Sequence, residues 1–269
     1  MTVHHYENFP VGSLLLPRKF RRPVALIYRF AREADDIADE GHLPCEARLA
    51  QLDAFHREIG RIGAGEPPTV PWFAALAKAI RDHRLPLQAF RDLLSAFAQD
   101  VTKSRYADFG EVLDYCRRSA NPVGRLLLVL YRSATEQNLA YSDAICSSLQ
   151  LINFLQDVPI DYRKGRIYLP QDEMARFGVN EQQIAGGGAC GNWHAFVAFQ
   201  IERARELLYS GAPLGRTLKG RVGMEMRMII AGGDRILTKI ARVRGDVFRH
   251  RPVLRGFDWP LMLFRALQQ

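Results

Sequence analysis

The stretch LQLINFLQDVPIDYRKGRIYLP, residues 149–170, decides the fold. Gln150, Asn153, Asp157 and Asp161 follow one another at spacings of 3, 4 and 4, so they form one ridge of a helix. Leu149, Leu151, Ile152, Phe154 and Leu155 surround that ridge with apolar side chains. An oxygen-bearing ridge through so apolar a helix faces either water or a ligand. Pro159 removes a backbone donor and crowds the carbonyl four residues earlier, so the helix is expected to kink or end near Val158. Asp161 would then leave the ridge. The cationic turn Arg163-Lys164-Gly165-Arg166 comes next.

Working outward, the remaining chain shows the same helical period, with almost none of the alternation that strands need. Helices are expected near 23–40, 46–61, 70–82, 86–102, 108–117, 122–136, 140–157, 192–210 and 217–243. The breakers GHLP (41–44), GAGEPP (63–68), LPL (85–87) and GGGACG (186–191) separate them. No repeat and no change of composition marks a linker. The expectation is an all-α chain folded as a single multi-helix bundle over residues 1–269.

READDIADEG, residues 32–41, supplies a second acidic ridge. Tyr28, Arg32, Asp35 and Asp39 share a stripe of the expected helix 23–40. Taken alone, the cluster reads either as a solvated acidic face with Arg32 as local ion partner or as a set of ligands. Oxygen donors four apart suit a hard cation such as Mg2+, which also takes phosphate oxygens. Two such ridges facing each other could share divalent ions, and the ions could hold a diphosphate whose outer oxygens the basic turn binds. Lewis-acid help to a departing diphosphate leaves a carbocation, which needs an apolar pocket closed to stray water. DYCRRSANPVGRLLLVLYR, residues 114–132, is a candidate wall of that pocket. Its small residues Ser119, Ala120 and Gly124 either leave room for a bulky chain or mark an ordinary helix boundary.

The formal net charge of +8 over 269 residues favours an anionic partner. No nucleic-acid-binding motif accompanies it, so a small phosphorylated molecule is preferred to nucleic acid. Cys45, Cys116, Cys146 and Cys190 are scattered and unpaired in spacing, which suits reduced thiols and a cytoplasmic location. The final GFDWPLMLFRALQQ (256–269) would either dip into the inner membrane face or pack on the bundle.

YRFAREADDIADE and QLINFLQDVPID together resemble the two aspartate motifs of the head-to-head isoprenoid synthases, the squalene, phytoene and dehydrosqualene synthases. DYCRRSANPVG resembles that family's Tyr-Cys helix and RKGRIYLP its basic flap. The resemblance spans roughly residues 9–255. It implies an all-α isoprenoid-synthase fold with a central cavity. It also implies Mg2+ held by Asp35, Asp39, Asn153, Asp157 and Asp161, and a prenyl diphosphate substrate. Ser13, Tyr28, Arg32, Gln150, Asn153, Arg163 and Arg166 would bind the substrate. Tyr115 would act in catalysis with Asp35, Asp39 and Asp157. The opening HHYENFPVGSLLLP is most similar to the bacterial hopanoid-pathway branch. For that branch the resemblance implies ionisation of presqualene diphosphate and capture of the cation by water, giving hydroxysqualene for downstream hopanoid enzymes. Presqualene diphosphate, squalene or phytoene synthesis are the alternatives within the activity class, and a non-catalytic assembly factor with the same fold is the alternative of another class. Two departures stand out. Gly233 occupies a position, three before Ile236-Leu237, where many relatives place a tyrosine that contacts phosphate. Arg251, in RHRP (249–252), would either reach phosphate or lie on a plain surface segment.

Overall fold

The computed structural model describes residues 16–39, 43–189 and 191–268. Among them the regular elements are helices, and the sole strand-like feature is an isolated bridge between Arg105 and Ile167. The helices are α1 (Arg18–Asp39), α2 (Cys45–Gly63), α3 (Phe73–His83), α4 (Leu87–Thr102), α5 (Phe109–Ser119), α6 (Asn121–Leu130) and α7 (Glu136–Arg163). They continue with α8 (Gln171–Arg176), α9 (Glu181–Ala185), α10 (Trp193–Ser210), α11 (Leu214–Thr217), α12 (Gly220–Arg242) and α13 (Asp258–Gln268).

Two apolar clusters organise these helices. The first joins α1 to α4 and part of α6 around Phe30, which is fully buried and meets Phe90 edge-on at 5.1 Å and Phe73 at 6.0 Å. Burying each such ring is worth about 1.5–3 kcal/mol. The second cluster joins α5, α7, α10, α12 and α13 around Phe154, Trp193, Phe196 and Leu237. α1 packs chiefly on α4, α2 and α3, whereas α7 packs chiefly on α10, α6 and α12. The two acidic ridges therefore belong to different halves of the molecule and approach each other across the space between them.

Pro159, expected to kink or end its helix, lies inside one, as does Pro23. α1 begins at Arg18 and runs through Pro23, and α7 runs through Pro159 to Arg163. Proline costs one helical hydrogen bond and a local clash. In α7 that cost is offset by burial of the turn before it, at Phe154, Leu155 and Val158. Asp161 therefore stays on the ridge with Asp157, which corrects the expectation drawn from Pro159. Gly124 also has a definite role. A Cβ there would stand 2.3 Å from Ser142 Oγ and 2.6 Å from Cys146 Sγ, so this glycine lets α6 lie against α7. Its smallness serves helix packing rather than room for a substrate chain. Gly233 is similar: a Cβ would come within 3.1 Å of Leu149 and Leu208 and 3.3 Å of Ile152. A tyrosine would not fit where α12 approaches α7 and α10 this closely.

The last helix packs on the bundle through Met262 and Ala266 and is tied to it by Asp258. That carboxylate is completely buried, accepts from Arg235 Nε at 2.7 Å and from the Arg255 amide at 2.7 Å, and also pairs with Lys239. Burial works to raise its pKa, but Lys239, the Arg255 amide and Arg235 more than offset this and hold it at about 2. A carboxylate with a depressed native pKa adds stability above its unfolded value, and that stability is lost as pH falls from about 4 towards about 2. Asp258→Asn should cost about 3 kcal/mol at pH 7. It should also flatten the loss of stability between those pH values, as followed by urea denaturation.

Candidate active site

α1 carries Tyr28, Arg32, Asp35 and Asp39 on consecutive turns, as the spacing implies. Arg32 Nη2 pairs with Asp36 Oδ1 at 2.6 Å, and its Nη1 stands 3.7 Å from Asp35 Oδ2. Tyr28 is close enough to contribute to the electrostatics of Arg32. Asp35 remains 38 % accessible as a side chain, so solvent reaches it. The protein around it is nevertheless dense enough to desolvate it in part. Burial first, then the charge of Asp39, push its pKa up to about 7 against the pull of Arg32.

α7 presents Gln150, Asn153, Asp157 and Asp161. Asn153 is exposed although Leu151, Ile152, Phe154 and Leu155 beside it are buried. α7 is held by α5, α6, α10 and α12, so solvent meets this ridge through a gap in the bundle. Asp157 forms a two-point ion pair with Arg251, Oδ1 to Nε at 2.5 Å and Oδ2 to Nη2 at 3.0 Å. Arg251 is thus more than part of a plain surface segment: it reaches into the acidic ridge. Burial, followed by repulsion from Asp157, raises Asp161 to about 8, with Asp39 on the other ridge adding to the rise.

The turn after α7 closes the gap between ridges. Gly165, at φ +79°, takes the left-handed conformation that favours glycine. Lys164 Nζ then reaches Asp39 Oδ2 at 2.9 Å, and Arg166 Nη2 reaches Asp39 Oδ1 at 2.5 Å. Burial works to raise the Asp39 pKa, but Arg166 and Lys164 hold it below the ordinary carboxylate value. Arg163, the first cation of this turn, is exposed, and it is Lys164 and Arg166 that meet Asp39. The flap that follows is pinned. Ile167 N donates to Ser104 O at 2.9 Å, and Gln171 N donates to Tyr106 O at 2.9 Å. Ser13 lies outside the described residues.

Behind the flap is a network that the spacing rules did not reveal. Asp100 on α4 is buried and accepts from Tyr115 at 2.6 Å and from Tyr168 at 2.7 Å. Arg166 Nη1 donates to Tyr168 Oη at 2.9 Å and stands 3.8 Å from Asp100. Burial raises Asp100 to about 6, although both tyrosines and Arg166 oppose the rise. Burial, followed by the charge of Asp100, pushes the Tyr115 hydroxyl well above its ordinary value. Phe154 stacks on Tyr168 at 4.1 Å, with Tyr115 at 5.5 Å, so the network is walled by aromatic rings. A polar pocket of about 270 Å3 opens beside it, with Arg48, Lys103, Lys164 and Arg166 among its lining cations and Asp39 and Asp100 among its acids.

The family model described as squalene/phytoene synthase matches residues 2–258. The chain belongs to the squalene/phytoene synthase family. Its relatives include a hydroxysqualene synthase from Rhodopseudomonas palustris, 36% identical over 267 residues, covering 98% of this chain and 89% of that protein. A 15-cis-phytoene synthase from Synechococcus elongatus is 31% identical over 263 residues, covering 93% and 85%. Among solved structures, the squalene synthase HpnC from Alicyclobacillus acidocaldarius superposes with a TM-score of 0.82 at 36% identity, covering 89% of this chain and 90% of that one. The all-α isoprenoid-synthase architecture expected from the sequence is thus the fold of this family.

Family members ionise diphosphates and generally use Mg2+. The residues of this chain fit such an ion. Every donor on the two ridges is oxygen, and Asp35 and Asp161 are raised because burial and like charge leave them short of positive neighbours. Among the described residues no three of His, Cys, Asp and Glu converge as a self-sufficient metal cage. Oxygen donors of this kind suit a hard divalent cation that keeps several waters, such as Mg2+.

Proposed function

We infer that this protein ionises presqualene diphosphate and lets water capture the rearranged cation, yielding hydroxysqualene and diphosphate. The observation that carries this reading is the meeting of the two ridges. Lys164 and Arg166, at the end of one, grip Asp39 at the end of the other. That arrangement sets anion-binding cations beside cation-binding carboxylates, as a metal-diphosphate requires.

On this reading Asp35, Asp39, Asn153, Asp157 and Asp161 hold Mg2+, which when bound supplies positive charge to the departing diphosphate. Lys164, Arg166 and Arg32 take the outer phosphate oxygens, helped by Arg251, while Tyr28 and Gln150 line the same space. Arg163 remains a rim residue. The rings of Phe154, Tyr115 and Tyr168 face the cationic chain with apolar, electron-rich surface. Tyr115 keeps its proton, donated to Asp100, so it offers its oxygen and ring rather than a negative charge to the reacting carbon. The water-insoluble product would leave at the inner membrane face for a downstream enzyme of the hopanoid pathway.

Similarity to hydroxysqualene synthases over nearly the whole chain supports this reaction over its alternatives. The phytoene synthases among the relatives keep condensation of two prenyl diphosphates as the second reading. Product analysis by mass spectrometry separates them. Presqualene diphosphate with Mg2+ and no NADPH is expected to give hydroxysqualene. Squalene formed only with NADPH, or a C40 product from geranylgeranyl diphosphate, would overturn the assignment.

A further inference from the structure

α13 is seated by one face and leaves the other uncovered. Asp258, Met262 and Ala266 face the bundle. Phe257 is 65% exposed, Phe264 60% and Leu267 65%, while Trp259, Leu261 and Leu263 are also open to solvent. Arg265, half-buried at the edge of this face, has its charge paired with Asp234 at 2.7 Å. What remains is a contiguous apolar face, larger than scattered surface leucines would produce.

Its border is basic. On α12, Arg235 and Lys239 both hold Asp258, and Lys239 lies 5.2 Å over the ring of Phe257. Arg242 is the next residue of that stripe, so it stands one turn farther along, beside the start of the apolar face. Arg244 follows α12, and Arg255 precedes Phe257 by two residues. Arg242, Arg244 and Arg255 are exposed and form no ion pair among the described residues. From Val243 to Gln268 the acids are Asp246 and Asp258, and both face cations of the protein itself.

The geometry points to this face as a docking surface for an anionic lipid bilayer, with the α13 side chains entering the headgroup boundary and the three arginines resting on lipid phosphates. An apolar helix face flanked by unpaired cations is the combination that interfacial binding rewards. A second copy of this chain would bring the same arginines against one another, which disfavours a dimer through this face. The interaction is independent of which prenyl diphosphate the site takes.

The test is co-sedimentation of the full chain with vesicles of phosphatidylcholine alone or mixed with phosphatidylglycerol, without substrate. Wild type should sediment with the mixed vesicles, bind phosphatidylcholine about tenfold less, and be released by salt. Phe264→Ser with Leu267→Ser, and separately Arg242→Gln with Arg255→Gln, should each weaken binding about tenfold or more. All four positions are exposed, so melting curves should match wild type, and turnover on detergent-dispersed substrate should be unchanged. Wild type remaining in the supernatant with every vesicle would overturn the inference. So would binding untouched by both double variants, or a dimer by light scattering that Phe264→Ser with Leu267→Ser dissolves. Loss of turnover with vesicle binding intact would strike the proposed reaction alone.

Discussion

Asp161→Asn is expected to melt higher than wild type at pH 8 while losing about 10²–10³-fold in turnover. The native Asp161 titrates at about 8, because burial and the charges of Asp157 and Asp39 oppose its ionisation. In the unfolded chain the same group titrates near 4. Between those values the native state holds a proton that the unfolded state has released, so stability falls as pH rises from about 4 to about 8. An amide removes that slope. The gain should be about 1 kcal/mol or more at pH 8, or roughly 2–4 °C in melting temperature, shrinking steadily as pH falls and vanishing near pH 4. The loss of turnover has the opposite origin: on the proposed reading, the carboxylate that strains the resting fold is one that would hold the divalent cation. Asp35→Asn should behave alike over a narrower window, up to about 7. Thermal melts across pH 5–8, with and without Mg2+, check both parts. An unchanged melting profile, or turnover within about threefold of wild type, would remove Asp161 from the ligand set.

Asp100→Asn should reduce turnover about a hundredfold, with most of the loss in kcat and a smaller rise in KM. No substrate atom needs to touch Asp100 for this. It accepts one hydroxyl on each oxygen, from Tyr115 and Tyr168, and Tyr168 in turn accepts from Arg166. An amide keeps the shape but turns one acceptor into a donor, so one tyrosine must reverse its hydrogen bond or lose it. A reversed bond at Tyr168 competes with Arg166, which then holds Asp39 less firmly and, on the proposed reading, the diphosphate too. The stability cost should be about 1–3 kcal/mol. A purely structural role would lower the melting temperature and leave kcat per folded molecule intact. Asp100→Glu, which restores two acceptors, should recover part of kcat if positioning is the role. Steady-state kinetics beside urea denaturation distinguish the two outcomes.

Much of this site was legible because ridge spacing is local. Asp35 with Asp39, and Asn153 with Asp157, lie one turn apart whatever the helix packs on. The cationic turn is likewise adjacent in sequence to the ridge that it completes. Asp100 was not legible: it sits in DLLSAFAQD, where a lone acid near a helix end reads as an ordinary surface residue. Its tyrosine partners stand 15 and 68 residues away. Arg251 was ambiguous for the same reason, since its partner Asp157 is 94 residues distant. The small side of Gly124 suggested space, but whether space is filled by a substrate or by Ser142 and Cys146 depends on how closely α6 meets α7.

The sequence by itself determined the helical class, the two ridges and the family, because these rest on periodicity and on contiguous motifs. Only the tertiary structure decided which cation meets which carboxylate. It carried α7 through Pro159, since burial at Phe154, Leu155 and Val158 offsets the hydrogen bond that proline removes. It chose Lys164 and Arg166 over Arg163 for Asp39, because the left-handed turn at Gly165 fixes where each side chain points. Charges attract over a few ångströms of space, and separation along the chain does not fix that distance until the two halves of the bundle have packed.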